Sequence, residues 1–249
     1  MRWLAHGEHE VPADAEWLTA REQAVLGGIR YTKRYVEFRT RRWTAKRALA
    51  TVLQRDLTPA ALATLEIGNH PGGAPYVAVD GERAAIEVSI SDRAGWAVCL
   101  VGTPGGTPGP LGIDLEIVEP RSDAFVEDFF TATERDTVRA LPAGEPRDEA
   151  ANLIWSAKEA ALKVLKVGLR ADTRDVQVVI DRRRRADGWS ALRVTASGGA
   201  VFPGWWRRDG VFVLTIAGAA PSDPPALLAG GSDLAAAVPV HSWLERPLV

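Results

Sequence analysis

Apolar positions along the chain recur with two periods, one near 3.6 residues and one near 2, and the switches between them outline the elements. In "RYTKRYVEFRTRRWTAKRALATVLQRDL", Val36, Trp43, Leu49, Val52 and Leu53 recur at near-helical spacing and predict a long helix. Thr58 ahead of Pro59 is placed to cap the next one. "HPGGAPYVAVDGER" is turn-rich and carries one short strand, Tyr76 to Val79. "IEVSIS" and "GWAVCLVG" predict strands, and past the loop "TPGGTPGP" so does "LGIDLEIV". After "EPR" the period lengthens again. "SDAFVEDFFTATERDTVRAL" predicts two short helices, the second starting near Thr133. "DEAANLIWSAKEAALKVLKVG", rich in helix formers, predicts a long helix ended by Gly168. Strands return in "DVQVVI", "SALRVTA" and "GVFVLTIAG", and the Ala, Gly and Pro-rich tail from about Pro221 reads as peripheral.

Each half therefore reads as helix followed by strands, with "GWAVCLVG" and "GVFVLTIAG" in similar places. The expected fold is α+β: two similar lobes in a pseudo-twofold relation, residues 1–118 and 119–249, joined near Glu119 to Arg121, with a ligand at their junction.

Composition narrows the chemistry. The chain has 249 residues, 46% of them hydrophobic, enough for a sizeable core. A formal net charge of −2 gives no global steering toward nucleic acid. Cys99 is the only cysteine, which excludes an intramolecular disulfide and a Cys-rich zinc site. The histidines, His6, His9, His70 and His241, are scattered without metal-ligand spacing. The N-terminus turns acidic before any apolar run develops, unlike a signal peptide, and no window nears the ~20 apolar residues of a membrane span. A soluble, cytoplasmic protein is expected, working with carboxylates, lysines or a hard metal ion.

Two stretches carry that chemistry. In "GIDLE", alternation along a strand puts Asp114 and Glu116 on one face. Two acids side by side repel and call for a cation, and hard oxygen ligands suit Mg²⁺. The competing reading is an exposed edge strand with two solvated acids. In "WSAKEAALK", Trp155, Glu159 and Lys163 stand one turn apart on one helix face, which by itself is an ordinary surface pair beside a core tryptophan.

Together the two motifs resemble the signature pair of the 4′-phosphopantetheinyl transferases, in particular the larger, two-lobed, monomeric type that activates surfactin synthetase. The resemblance runs from about Arg30 to Leu169, through "GGAPYV", "VSIS" and "FFTATE" as well as the pair. It implies an enzyme that moves the phosphopantetheine arm of coenzyme A onto a serine of an apo acyl or peptidyl carrier protein and releases 3′,5′-ADP. By that resemblance Asp114, Glu116 and Glu159 are Mg²⁺ ligands, and Glu159 is also the base for the carrier serine. Lys163 neutralises the leaving phosphate, Lys158 touches the diphosphate, and Trp155 orients the helix. Arg34, Arg42 and Lys46 fall near one face of the first helix and, with Pro75, Ser91 and Arg93, are the expected coenzyme A contacts. A solvated basic face is the plain alternative for the helix residues.

Two positions depart from the family pattern. Asp92 stands where most members have histidine, and Gly72 and Gly73 stand where many have a lysine before the proline. Arg93 is the expected replacement donor. The basic loop "IDRRRRADG" reads either as a docking site for an acidic carrier protein or as a solubilising turn. The rival functions are a non-catalytic coenzyme A or nucleotide binder of the same fold, and a Mg²⁺ phosphohydrolase using the same acids.

Overall fold

The computed structural model describes residues 1–102, 109–166 and 171–241. Along the chain these form β1 (Arg2–Gly7), α1 (Ala20–Gly27), α2 (Thr32–Val52), α3 (Pro59–Leu62), β2 (Leu65–Asn69), β3 (Pro75–Val79), β4 (Glu82–Arg83), β5 (Val88–Arg93) and β6 (Trp96–Val101). There follow β7 (Leu111–Ile117), α4 (Asp123–Phe129), α5 (Ala132–Arg139), α6 (Glu145–Val164), β8 (Val176–Ile180), β9 (Ser190–Ala196), β10 (Val201–Asp209), β11 (Phe212–Gly218) and β12 (Ala226–Leu227). The fold is α+β, as the period changes predict. Most of "TPGGTPGP" and the expected stop at Gly168 lie outside the described residues.

The chain divides into two compact units, Met1–Thr107 with Pro225–Asp233 and Ala237–Val249, and Pro108–Pro224 with Leu234–Ala236. The expected division lay after residue 118; here residues 108–118 fall with the second unit. β7 pairs along its whole length with β11, Leu111 opposite Gly218 through Ile117 opposite Phe212, so its hydrogen bonds tie it to the second unit.

In the first unit, β12-β1-β6-β5 form one sheet and β2-β3-β4 another. Helix α2 supplies Phe38, Trp43, Ala45 and Leu49 to a core that includes Leu4, Trp17, Leu62, Val88 and Cys99. Its middle also carries Lys46, which is 0% exposed. The lysine survives there because its three protons are all used: Nζ donates to Trp17 O (2.9 Å) and Leu62 O (3.1 Å) and pairs with Glu22 Oε2 at 2.5 Å. Glu22 is in turn the third residue of α1, reaching back to the Thr19 amide while Thr19 Oγ1 accepts from the Glu22 amide, and it also accepts from Ile67 N.

The second unit is a five-stranded antiparallel sheet, β7-β11-β10-β9-β8, with α6 laid on it. The same device recurs. Lys158, 0% exposed in α6, donates to Thr173 O (2.7 Å) and Val176 O (2.6 Å) and pairs with Glu134 Oε2 at 2.8 Å. Glu134 caps α5 with Thr131 and accepts from Val178 N. The N-cap of α5 is thus Thr131, two residues before the expected Thr133. A close approach sets α6 over β7: a Cβ on Gly112 would sit 1.8 Å from the Ala160 carbonyl oxygen, so only glycine permits this spacing. Ser156 Oγ and Thr215 Oγ1, 2.8 Å apart, add a buried hydrogen bond between α6 and β11.

Candidate active site

Strand alternation and the Gly112 contact set the acids of β7 against α6. Asp114 and Glu116 project from the same face of β7, opposite Thr215 and Val213 of β11, and are only 5% and 9% exposed. β7 is the edge strand of its sheet, but these acids are buried and not solvated. On α6, Asn152, Trp155, Glu159 and Lys163 follow at helical spacing along the face turned to β7.

Each strand acid has a cation. Lys163 Nζ donates to Asp114 Oδ1 (2.9 Å) and to Ile113 O (2.7 Å). Arg121 Nη2 donates to Glu116 Oε2 (2.9 Å), and Trp155 Nε1 donates to Glu116 Oε1 (3.1 Å). Trp155 therefore does more than orient the helix: its ring packs edge-on against Phe125 and Phe129 while its N–H fixes a candidate ligand.

Glu159 is different. Its Oε1 is buried and has no hydrogen-bond partner. Burial, then the Asp114 charge, pushes its carboxyl up to about 7; Lys163 pulls the other way and Glu116 adds a further push. A carboxyl that titrates near neutrality can take a proton at working pH.

The sign of the linkage follows. Glu159 binds its proton more tightly folded than unfolded, so this group contributes stability below its ordinary range, and that contribution is lost as pH rises to about 7. Glu159→Gln should match the wild type in stability at pH 4 and exceed it at pH 8 without metal. Denaturation midpoints for the two proteins at both pH values check this, and an equal difference at both would refute it.

Among the described residues, no three His, Cys, Asp or Glu side chains stand gathered so as to hold a metal ion. The donor set nonetheless fits a hard divalent cation: three carboxylates, one with a buried oxygen lacking a partner. Such an ion would compete with Lys163 and Arg121 for the acids they now hold.

All four of these residues, Asp114, Glu116, Glu159 and Lys163, belong to the second unit. The expectation that each lobe lends acids to the site fails, because β7 and α6 are in one unit.

Lys46 and Lys158, expected as coenzyme A contacts, lie in the interior. Both ammoniums are sealed in the interior and their donors saturated, which leaves nothing for a phosphate. Arg42, 7% exposed, is held by Glu22 (3.5 Å), Asn69 Oδ1 (2.9 Å) and the Phe38 ring. Arg34 is exposed and Pro75 opens β3. On β5, Ser91 and Arg93 share one face and Asp92 points to the other. Asp92 does not pair with Arg93; it accepts from Arg41 Nη1 of α2 at 2.6 Å, which neutralises the departure from the family pattern. Arg93 and Asp92 line a cavity of about 80 Å³ in the first unit with Lys33, Glu37 and Thr40.

The basic loop is largely balanced where it stands: Arg183 pairs with Asp181 (2.8 Å), Arg185 with Asp187 (3.2 Å) and Arg182 with Glu149 (3.7 Å). That favours the solubilising turn. Two residues that matter at the acids, Arg121 and Asn152, escaped the sequence reading because "EPR" looked like a joint and an asparagine in a helix carries no motif.

Comparison with known proteins bears on the segment that builds this site. A profile of the 4′-phosphopantetheinyl transferase superfamily matches residues 110–194, which run from β7 through α6 and β8 into β9. A 4′-phosphopantetheinyl transferase of Bacillus subtilis is 29% identical over 107 residues, 43% of this chain and 44% of the relative, so less than half of that protein's length is matched. Among the described residues no helix is long and apolar enough to cross a membrane.

Proposed function

We propose that this protein transfers the 4′-phosphopantetheine arm of coenzyme A to a serine of an apo acyl or peptidyl carrier protein, in a Mg²⁺-dependent reaction that releases 3′,5′-ADP. One observation carries it: β7 with Asp114 and Glu116, and the face of α6 with Glu159 and Lys163 turned to it, both lie inside the segment similar to the superfamily. The finer reading is a cytoplasmic monomer with two lobes in pseudo-twofold relation. The recurrence of the buried lysine, its glutamate and the threonine cap in both units supports the likeness of the two lobes.

The bond changes assign the roles. The serine Oγ forms a bond to the phosphorus that carries pantetheine, and the bond from that phosphorus to the departing 3′,5′-ADP oxygen breaks. Glu159 accepts the serine proton. The Lys163 ammonium, 27% exposed and beside Asp114, faces the charge that grows on the leaving phosphate. Asp114, Glu116 and Glu159 would hold the divalent ion, which when bound supplies electrostatic stabilisation to the diphosphate oxygens. Trp155 keeps Glu116 in place for that task.

Incubation with coenzyme A, Mg²⁺ and a panel of apo carrier proteins tests the reading by intact mass. The expected result is a gain of one phosphopantetheine arm on a carrier and none on its serine-to-alanine variant. Binding of coenzyme A with no gain on any carrier would favour the non-catalytic binder. Phosphate release without a carrier would favour the hydrolase.

A further inference from the structure

The strand acids are not waiting in isolation; the protein supplies them with cations of its own. Lys163 holds Asp114, a pairing already used above. Arg121 has no place in that account, yet its side chain is the more firmly built. Its Nη2 donates to Glu116 Oε2 at 2.9 Å and its Nε donates to Asn152 Oδ1 at 2.7 Å. Asn152 is 0% exposed, and its amide nitrogen is itself tied to Glu119 O (2.7 Å) and Asp148 O (2.8 Å). The guanidinium also lies over the Phe125 ring, 4.7 Å from its centroid, and the side chain is only 16% exposed. A fork held on three sides cannot leave easily, so Glu116 keeps a permanent positive neighbour.

We propose that Arg121 is a resident counter-ion for Glu116 that weakens the site's hold on a bare divalent cation, so that the cation binds well only together with a polyanionic diphosphate. This inference rests on the metal reading given above and adds to it. With three ionised acids alone, an arriving divalent ion would meet three negative charges. Arg121 and Lys163 cancel two of them, and at separations of a few ångströms each such charge shifts cation affinity by about tenfold or more. A diphosphate restores the negative charge that the two side chains remove. The consequence is ordered loading: little metal on the free protein, and metal with nucleotide in its complex.

Mn²⁺ titration of the full chain, followed by the loss of the free-ion paramagnetic resonance signal, tests the idea without turnover or carrier. Wild-type protein should bind Mn²⁺ weakly alone and markedly more tightly with coenzyme A present. Arg121→Gln keeps a donor for Glu116 but removes the charge, and should bind Mn²⁺ alone about tenfold tighter. Its gain from coenzyme A should shrink to match. Arg121→Lys restores the charge and should return both values toward wild type. Unchanged or weaker Mn²⁺ binding in Arg121→Gln overturns the inference, and so does a lysine variant that behaves like glutamine, since the effect would then be one of shape. Asp114→Ala separates the two levels. If it abolishes Mn²⁺ binding while Arg121→Gln changes nothing, only the counter-ion role falls. If it binds Mn²⁺ as the wild type does, the metal site itself is wrong and this inference falls with it.

Discussion

Glu159→Gln should lower phosphopantetheine transfer by about 10²–10⁴-fold, the range that a positioned base accounts for, while the protein stays folded. The substitution preserves volume and one hydrogen-bonding oxygen, and removes the charge and the basicity. Glu159 sits on the helix face pressed to β7, and its raised affinity for a proton comes from burial and from Asp114 beside it. Glutamine there relieves both penalties, so folding stability is kept or improved at neutral pH. Asp114→Ala should be as damaging to transfer for a different reason. It removes a candidate metal ligand and leaves Lys163 without its partner at 2.9 Å. Single-turnover rates with a saturating apo carrier, alongside circular dichroism of each variant, check both. Turnover within a few-fold of wild type in Glu159→Gln would remove the base assignment, and in Asp114→Ala the metal-site assignment.

How much of this was legible in the sequence depends on the kind of signal each element carries. The long helices α2 and α6 and the strand β7 were readable because their apolar spacing or alternation is strong. The shared face of Asp114 and Glu116 followed from strand geometry alone. β1 was missed: five of its six residues are buried, so "RWLAHG" shows no alternation. β10 was missed because Pro203 and Gly204 read as breakers. Its pairing with β11 begins only at Gly204, so the proline lies where that neighbour's ladder has not started, facing β9 alone. The lysines misled for a more interesting reason. A lysine in an amphipathic helix normally marks the wet face, and only the three acceptors aligned by the fold reverse that. The signal was nevertheless present. "WTAK" ending at Lys46 and "WSAK" ending at Lys158 recur, and each lysine follows a Thr-x-x-Glu cap at the same separation, Thr19 with Glu22 and Thr131 with Glu134. A lysine that repeats with its glutamate reads as a buried pair.

That pair makes the second large effect. Lys158→Met should destabilise the second unit by about 3–5 kcal/mol, the cost of removing one partner from a buried ion pair. The methionine fills the space, but Glu134, 2% exposed, is left with its charge inside the unit. The carbonyl oxygens of Thr173 and Val176 also lose their donor. Burial already pulls the Lys158 ammonium below its ordinary range, with Glu134 holding it up, so the two charges depend on each other. Urea unfolding of wild type and variant measures the loss, and a cost below about 1 kcal/mol would show that the pair is not a structural pin. The same variant divides the structural reading from the family expectation. Lys158 is the neighbour of Glu159 in sequence but points to other partners, on α5 and at and just before the start of β8. At a temperature where Lys158→Met remains folded, its affinity for coenzyme A should therefore equal the wild type's, whereas a lysine that touched the diphosphate would lose affinity at every temperature.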